Sequence, residues 1–215
     1  MKICCISTAQ EAEIAVAAGA SALGLVSAMP SGPGVISEED IAAIASKVPP
    51  VVASFLLTSE LEAEPILKQH TRCRTSTLQL VDAVRPGVHA ILRRVLPGIR
   101  IVQVIHVTGP ESVDEAIALA PDVDAILLDS GNPGLATKEL GGTGRTHDWT
   151  VSRAIRDAID PPLFLAGGLD ASNVEEAINA VRPFGVDICS GVRTDGSLDP
   201  SKLDDFIAAV GRADR

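Results

Sequence analysis

MKICCISTAQEAEIAVAAGASALGLV (1–26) contains the first repeat unit of the chain. A short β-rich run, Lys2–Ile6, is followed by a helical pattern over Ala9–Ala18 that Gly19 stops, and then by a second β-rich run, Ser21–Val26. A glycine just past a helix supplies the left-handed residue that ends it. Strands joined through a helix run parallel, because a hairpin turn cannot connect them. The first strand-to-helix turn, ISTAQEAE (6–13), has no glycine. A doubly wound dinucleotide-binding sheet requires glycines at that turn, so that fold is the second choice.

The same alternation fills the rest of the chain. Further strands are predicted at 51–57, 77–80, 100–107, 123–129, 163–166 and 184–189, each followed by a helical pattern. Ser37 reads as an N-cap with Asp40 three residues on, Asp148 as the cap of a helix from Trp149, and Pro110 as a first-turn proline. Eight strand–helix pairs predict an α/β fold, a (β/α)8 TIM barrel, as a single domain spanning 1–215. GGTG (141–144) follows no strand and is a weak dinucleotide signal.

Composition agrees. The 215 residues are 46% hydrophobic and 2% aromatic, so the core is aliphatic, as suits a parallel sheet covered by helices. A net charge of −10 speaks against nucleic acid as a partner, since phosphate backbones are held by lysines and arginines. No apolar stretch reaches membrane-spanning length, and MKICCISTAQEAE turns acidic without a signal peptide's long apolar region. The expected location is the cytoplasm. The cysteines at 4, 5, 73 and 189 form no metal-ligand spacing with His70, His89, His106 or His147, so no metal site is expected. Reduced thiols are the default expectation for all four.

Strand alternation assigns faces. Lys2, Cys4 and Ile6 share one face and Ile3 and Cys5 the other. A lysine against the helix layer is costly, so Lys2 and Cys4 are expected inside the barrel and Cys5 in the helix packing. Cys4 then lies toward the carboxyl end of its strand, where barrel enzymes place their chemistry. Its plain alternative is a small buried apolar residue. In strand six, Val123, Ala125, Leu127 and Asp129 are expected inward. Asp129, at the mouth, is an acid–base candidate or else a loop-capping aspartate. The loops after strands seven and eight read AGGLD (166–170) and CSGVR (189–193). Glycines there let the backbone approach a phosphate; the alternative is tight turns without a ligand. Lys2 and Asp187, on neighbouring strands, are expected to pair inside.

Taken together, KICCIST (2–8), ILLDSGNP (126–133) with GGTGRTHDW (141–149), LAGGLDASNVEEAI (165–178) and VRPFGVDICSGVR (181–193) resemble phosphoribosylanthranilate isomerase over nearly the whole chain. The resemblance implies a cofactor-free Amadori rearrangement of N-(5′-phosphoribosyl)anthranilate in tryptophan biosynthesis. It assigns the general base to Cys4 and the general acid to Asp129. It places the substrate phosphate at Gly167, Gly168, Ser190 and Gly191, and a substrate-covering loop at Gly142, Gly144 and Arg145. The implied partner is a phosphorylated small molecule, and the chain a monomer or homodimer.

Departures from the family pattern fall on one side of the pocket. Cys5 stands where glycine is usual, about Gly34 where an arginine meets the anthranilate carboxylate, Val81 where a histidine is usual, and Gln103 where a lysine is frequent. His106, Arg145 and Arg193 are the candidate substitutes for the carboxylate partner. The alternative functions are a related sugar-phosphate isomerase with a different aglycone and a non-catalytic barrel binding a phosphorylated metabolite. No strand-end histidine and carboxylate set suggests a metal-dependent epimerase.

Overall fold

The computed structural model describes residues 1–131, 140 and 146–213. It is the (β/α)8 barrel. The strands are β1 (Lys2–Ile3), β2 (Ala22–Val26), β3 (Ala53–Thr58), β4 (Thr77–Leu80), β5 (Arg100–His106), β6 (Ala125–Asp129), β7 (Leu163–Leu165) and β8 (Gly185–Ile188). The helices are α1 (Ala9–Ala17), α2 (Glu38–Ala45), α3 (Ala63–Cys73), α4 (Val88–Val95), α5 (Ser112–Leu119), α6 (Trp149–Ala158), α7 (Val174–Val181) and α8 (Pro200–Ala213). Each strand pairs in parallel with the next, and β8 closes onto β1 through Lys2↔Asp187 and Ile3↔Ile188.

Alternation sorts the apolar side chains into two cores. Leu23, Leu25, Leu56, Leu78, Ile101, Ile105, Ile126 and Leu128 meet the helices, while Ala22, Val26, Phe55, Leu57, Val102, Val104, Ala125 and Leu127 fill the barrel. Helix starts follow the predicted caps. The Ser37 hydroxyl accepts from the Asp40 N–H at 3.1 Å, and the Asp148 carboxylate from the Thr150 N–H at 2.8 Å. Such caps satisfy N–H groups that have no partner within the helix. Pro110 stands two residues before α5 rather than in its first turn.

Four expectations are corrected. The first strand ends at Ile3 rather than Ile6, because Cys5 takes a φ of +60°, which breaks the pleat. Alternation stops there, so Cys5 turns inward and Ile6 joins the helix-facing core, the reverse of the expected faces. Val123, which precedes β6, also packs in the helix-facing core. Finally, the loop after β8 contains a two-strand hairpin, β9 (Arg193–Thr194) with β10 (Ser197–Leu198). Its turn residues Asp195 and Gly196 have φ of +50° and +81°. Asp-Gly with both φ positive is a favoured two-residue hairpin turn.

Candidate active site

The carboxyl ends of the strands open on a pocket lined by Cys4, Cys5, Gln79, Val104, Asp129, Gly167, Gly168, Asp187, Cys189 and Ser190, among others. The sulfur and carboxyl singled out in the sequence therefore share one cavity. They also share electrostatic neighbours, since Lys2 and Asp187 act on both.

Lys2 is fully buried, and its Nζ donates to Asp187 Oδ2 at 2.7 Å. The ammonium also lies over the Phe55 ring, 5.3 Å from its centroid. Burial disfavours this charge, but Asp187 and Cys4 more than offset it, and the Lys2 pKa is raised. The expected internal ion pair is thus present, and the lysine stays charged beside the thiol. Burial pushes the Cys4 thiol up to about 11, against the opposing pull of Lys2. Gly24 on β2 makes room for this thiol: a Cβ there would sit 2.6 Å from Cys4 Sγ and 3.1 Å from Lys2 Nζ.

Asp129 ends β6 beside His106 of β5. One of its carboxylate oxygens accepts the Ser130 N–H at 2.7 Å, the loop-capping bond that was the plain alternative for this residue. Loss of hydration raises the Asp129 pKa, with the Ser130 N–H and His106 opposing. A carboxyl raised this way holds a proton more readily.

The two glycine turns face each other. Gly167 and Gly168 have φ of +87° and +63°, and a Cβ on Gly191 would strike the Leu169 carbonyl oxygen. The Asn173 side chain fixes the first turn, donating to the Gly168 carbonyl and accepting from the Asp170 N–H, both at 2.9 Å. Among the described residues, the N–H groups of Gly167, Gly168, Ser190 and Gly191 have no backbone acceptor. Backbone N–H groups left unpaired at such turns can bind an anion.

The other polar candidates fare differently. Arg193 is committed to structure: it pairs with Glu11 at 2.9 Å and donates to the Cys4 and Cys5 carbonyls. His106 is bonded to the Val81 carbonyl at 2.9 Å and does not line the pocket. Gln103 faces the helices, bonded to His89 and to the Leu80 and Asp82 carbonyls, so it is not a pocket residue. Gly34 packs against Cys5. Gly142, Gly144 and Arg145 lie outside the described residues. No arginine, lysine or histidine is among the described residues lining the pocket.

Sequence reasoning missed several contributors. Gln79 is buried and lines the pocket, and among the described residues its Oε1 has no hydrogen-bond partner, nor has Asp187 Oδ1. Inward parity on β4 was the available signal for Gln79, whereas Asp187 was already expected inside as the partner of Lys2. Cys5, expected in the helix packing and reduced, instead forms a disulfide with Cys189 at the mouth, their Cα atoms 5.9 Å apart. Cys4 and Cys73 are free, as expected. Nothing in the spacing signalled the Cys5–Cys189 pair, which only barrel closure brings together.

Comparison with known proteins identifies the family and the fold. The profile of the N-(5'phosphoribosyl)anthranilate (PRA) isomerase family covers residues 1–209. An N-(5'-phosphoribosyl)anthranilate isomerase of Methanothrix thermoacetophila is 34% identical over 98% of this chain and 97% of its own. That of Halobacterium salinarum is 35% identical over 97% and 94%. Among solved structures, the Thermotoga maritima phosphoribosyl anthranilate isomerase superposes with a TM-score of 0.82 at 31% identity, covering 98% of each chain. A phosphoribosyl anthranilate isomerase in complex with reduced 1-(o-carboxyphenylamino)-1-deoxyribulose 5-phosphate gives 0.79 at 30% identity, covering 98% of this chain and 97% of that one.

Proposed function

The chain belongs to the N-(5'-phosphoribosyl)anthranilate isomerase family, and from that premise we propose that Cys4 and Asp129 carry its proton transfers. The enzyme performs the Amadori rearrangement of N-(5'-phosphoribosyl)anthranilate to 1-(2-carboxyphenylamino)-1-deoxyribulose 5-phosphate, a step of tryptophan biosynthesis. The observation that carries the residue assignment is that thiol and carboxyl line one pocket, flanked by the two glycine turns.

In this reading the substrate's phosphate rests on the N–H groups of Gly167, Gly168, Ser190 and Gly191. Protonated Asp129 gives its proton to the furanose ring oxygen as the C1′–oxygen bond breaks, leaving an iminium. The iminium acidifies the hydrogen on C2′, and the Cys4 thiolate removes it. The resulting enol tautomerises to the ketone. Lys2 supports the thiolate as it forms, and Asp187 holds Lys2 in place. General acid and base each contribute about two to four powers of ten. Gly142, Gly144 and Arg145 belong to the covering loop in this proposal.

The chain works in the cytoplasm in this reading, where phosphorylated metabolites are held. It acts as a monomer or homodimer; the Thermotoga maritima relative is described as dimeric. The test follows the loss of substrate fluorescence. Cys4→Ala and Asp129→Asn are each expected to lower kcat by about 100-fold or more with the melting temperature little changed. A rate within a few-fold of the parent in either variant removes that residue from the role.

A further inference from the structure

Cys5 directly follows the proposed base, and Cys189 directly precedes Ser190 in the phosphate turn. Their bond lies at the barrel seam. The β1–β8 ladder is short, Lys2↔Asp187 and Ile3↔Ile188, extended by a 2.7 Å hydrogen bond from the Cys4 N–H to the Ile188 carbonyl. The next rung upward is covalent, Cys5 to Cys189. A Cα separation of 5.9 Å lies inside the range a disulfide spans. Cys5 is buried while Cys189 is half-buried, and both line the pocket, so Cys189 is the sulfur an incoming thiol reaches first. Disulfides in reducing compartments are transient or redox-sensing more often than structural.

We propose that the Cys5–Cys189 bond is a reversible thiol–disulfide switch that sets how firmly the mouth of the barrel grips the substrate's phosphate. The exchange partner is a low-molecular-weight thiol. Its thiolate attacks Cys189 Sγ, the Cys5–Cys189 bond breaks, and Cys5 leaves as a thiolate. A second thiol attacks the mixed disulfide, releasing Cys189 and a small-molecule disulfide. Two thiols are oxidised and one protein disulfide is reduced; a small disulfide reverses the sequence. When the bond is intact, the Ser190–Val192 turn is tied to the segment that carries Cys4, just past β1. When it is cut, that turn must be ordered by the ligand, which weakens binding without touching the reacting atoms.

The proposal rests on the phosphate role of Ser190 and Gly191, so the experiment separates the two. The full-length protein is equilibrated with oxidised or with reduced glutathione, unfolded, and its thiols counted: two (Cys4 and Cys73) are expected after oxidation and four after reduction. KM and the inhibition constant of inorganic phosphate are then measured in each state. Both are expected to rise on reduction by about tenfold, the cost of ordering one residue's backbone, with kcat changed less than KM. Cys5→Gly, which accepts the +60° φ without strain, is expected to show the reduced values under both conditions. Four thiols under oxidation, or equal phosphate constants in the two states, overturn the switch. Gly191→Ala, whose Cβ would strike the Leu169 carbonyl oxygen, with unchanged phosphate inhibition overturns the phosphate reading instead, whatever the thiol count.

Discussion

Cys4 occupies a place where a thiol is hard to ionise. Burial lifts it to about 11, while a buried lysine pulls the other way. Asp129 is raised above its usual value by the same loss of hydration. The proposed productive form needs Asp129 protonated and Cys4 ionised, and it is the minor arrangement of a single shared proton. Its population stays constant between the two pKa values. We therefore expect kcat/KM to fall as pH drops below the Asp129 value, to stay level through neutrality, and to show no alkaline fall before the thiol's value near 11. A pH–rate profile with an alkaline limb close to neutrality would contradict this. A second expectation concerns Gly24, whose missing side chain leaves space for the sulfur. Gly24→Ala displaces Cys4, and we expect about a 100-fold loss in kcat/KM with about 1–3 kcal/mol of stability lost to overpacking. Activity near the parent level would show that the thiol yields without consequence.

The first strand and last hairpin are joined by one carboxylate. Glu11 accepts from the Ser7 N–H and the Leu198 N–H, both at 2.8 Å, and pairs with Arg193, whose guanidinium also holds the Cys4 and Cys5 carbonyls. A side chain from α1 thereby fixes the glycine-free turn after β1 and the β9–β10 hairpin together. The Thr8-x-x-Glu11 spacing is that of a capping box, and the Thr8 hydroxyl does accept the Glu11 N–H at 3.1 Å. Burial tends to raise the Glu11 pKa, but its bonds to Arg193, Ser7 and Leu198 outweigh this and lower it. A depressed carboxylate contributes stability that is present above the unfolded value of 4.5 and lost as pH falls through the folded one. Glu11→Gln is expected to cost about 2–4 kcal/mol at neutral pH, because Arg193 loses its counter-charge. The difference between parent and variant, measured by urea unfolding, is expected to shrink below pH 4.5. A gap independent of pH would mean that packing, not charge, holds the clamp.

At the scale of the whole molecule, a chain of net charge −10 is expected to bind a phosphate. The proposed cradle resolves this with local dipoles: backbone N–H groups at two turns, brought face to face by the β7–β8 neighbourhood. Inorganic phosphate at 100 times its Kd is expected to stabilise the fold by about 2.7 kcal/mol, a rise in Tm of roughly 5–10 °C. Gly191→Ala, whose Cβ meets the Leu169 carbonyl oxygen, is expected to abolish that rise. A full rise in the variant would place the phosphate elsewhere.

Strand and helix identity, barrel closure and the inward direction of Lys2, Cys4 and Asp129 were written in the chain, because a two-residue alternation and a helical period are local and repeat eight times. The caps at Ser37 and Asp148 were equally local. What the fold alone decided were contacts between residues far apart in sequence. Cys5 with Cys189, Arg193 with Glu11, and Gly24 against Cys4 arise when β8 closes onto β1 and β2 flanks it. The direction of Cys5 was likewise beyond parity, since a single left-handed residue ends the pleat and reverses the faces that follow. Periodicity determines which elements form; closure of the barrel determines which side chains meet at its rim.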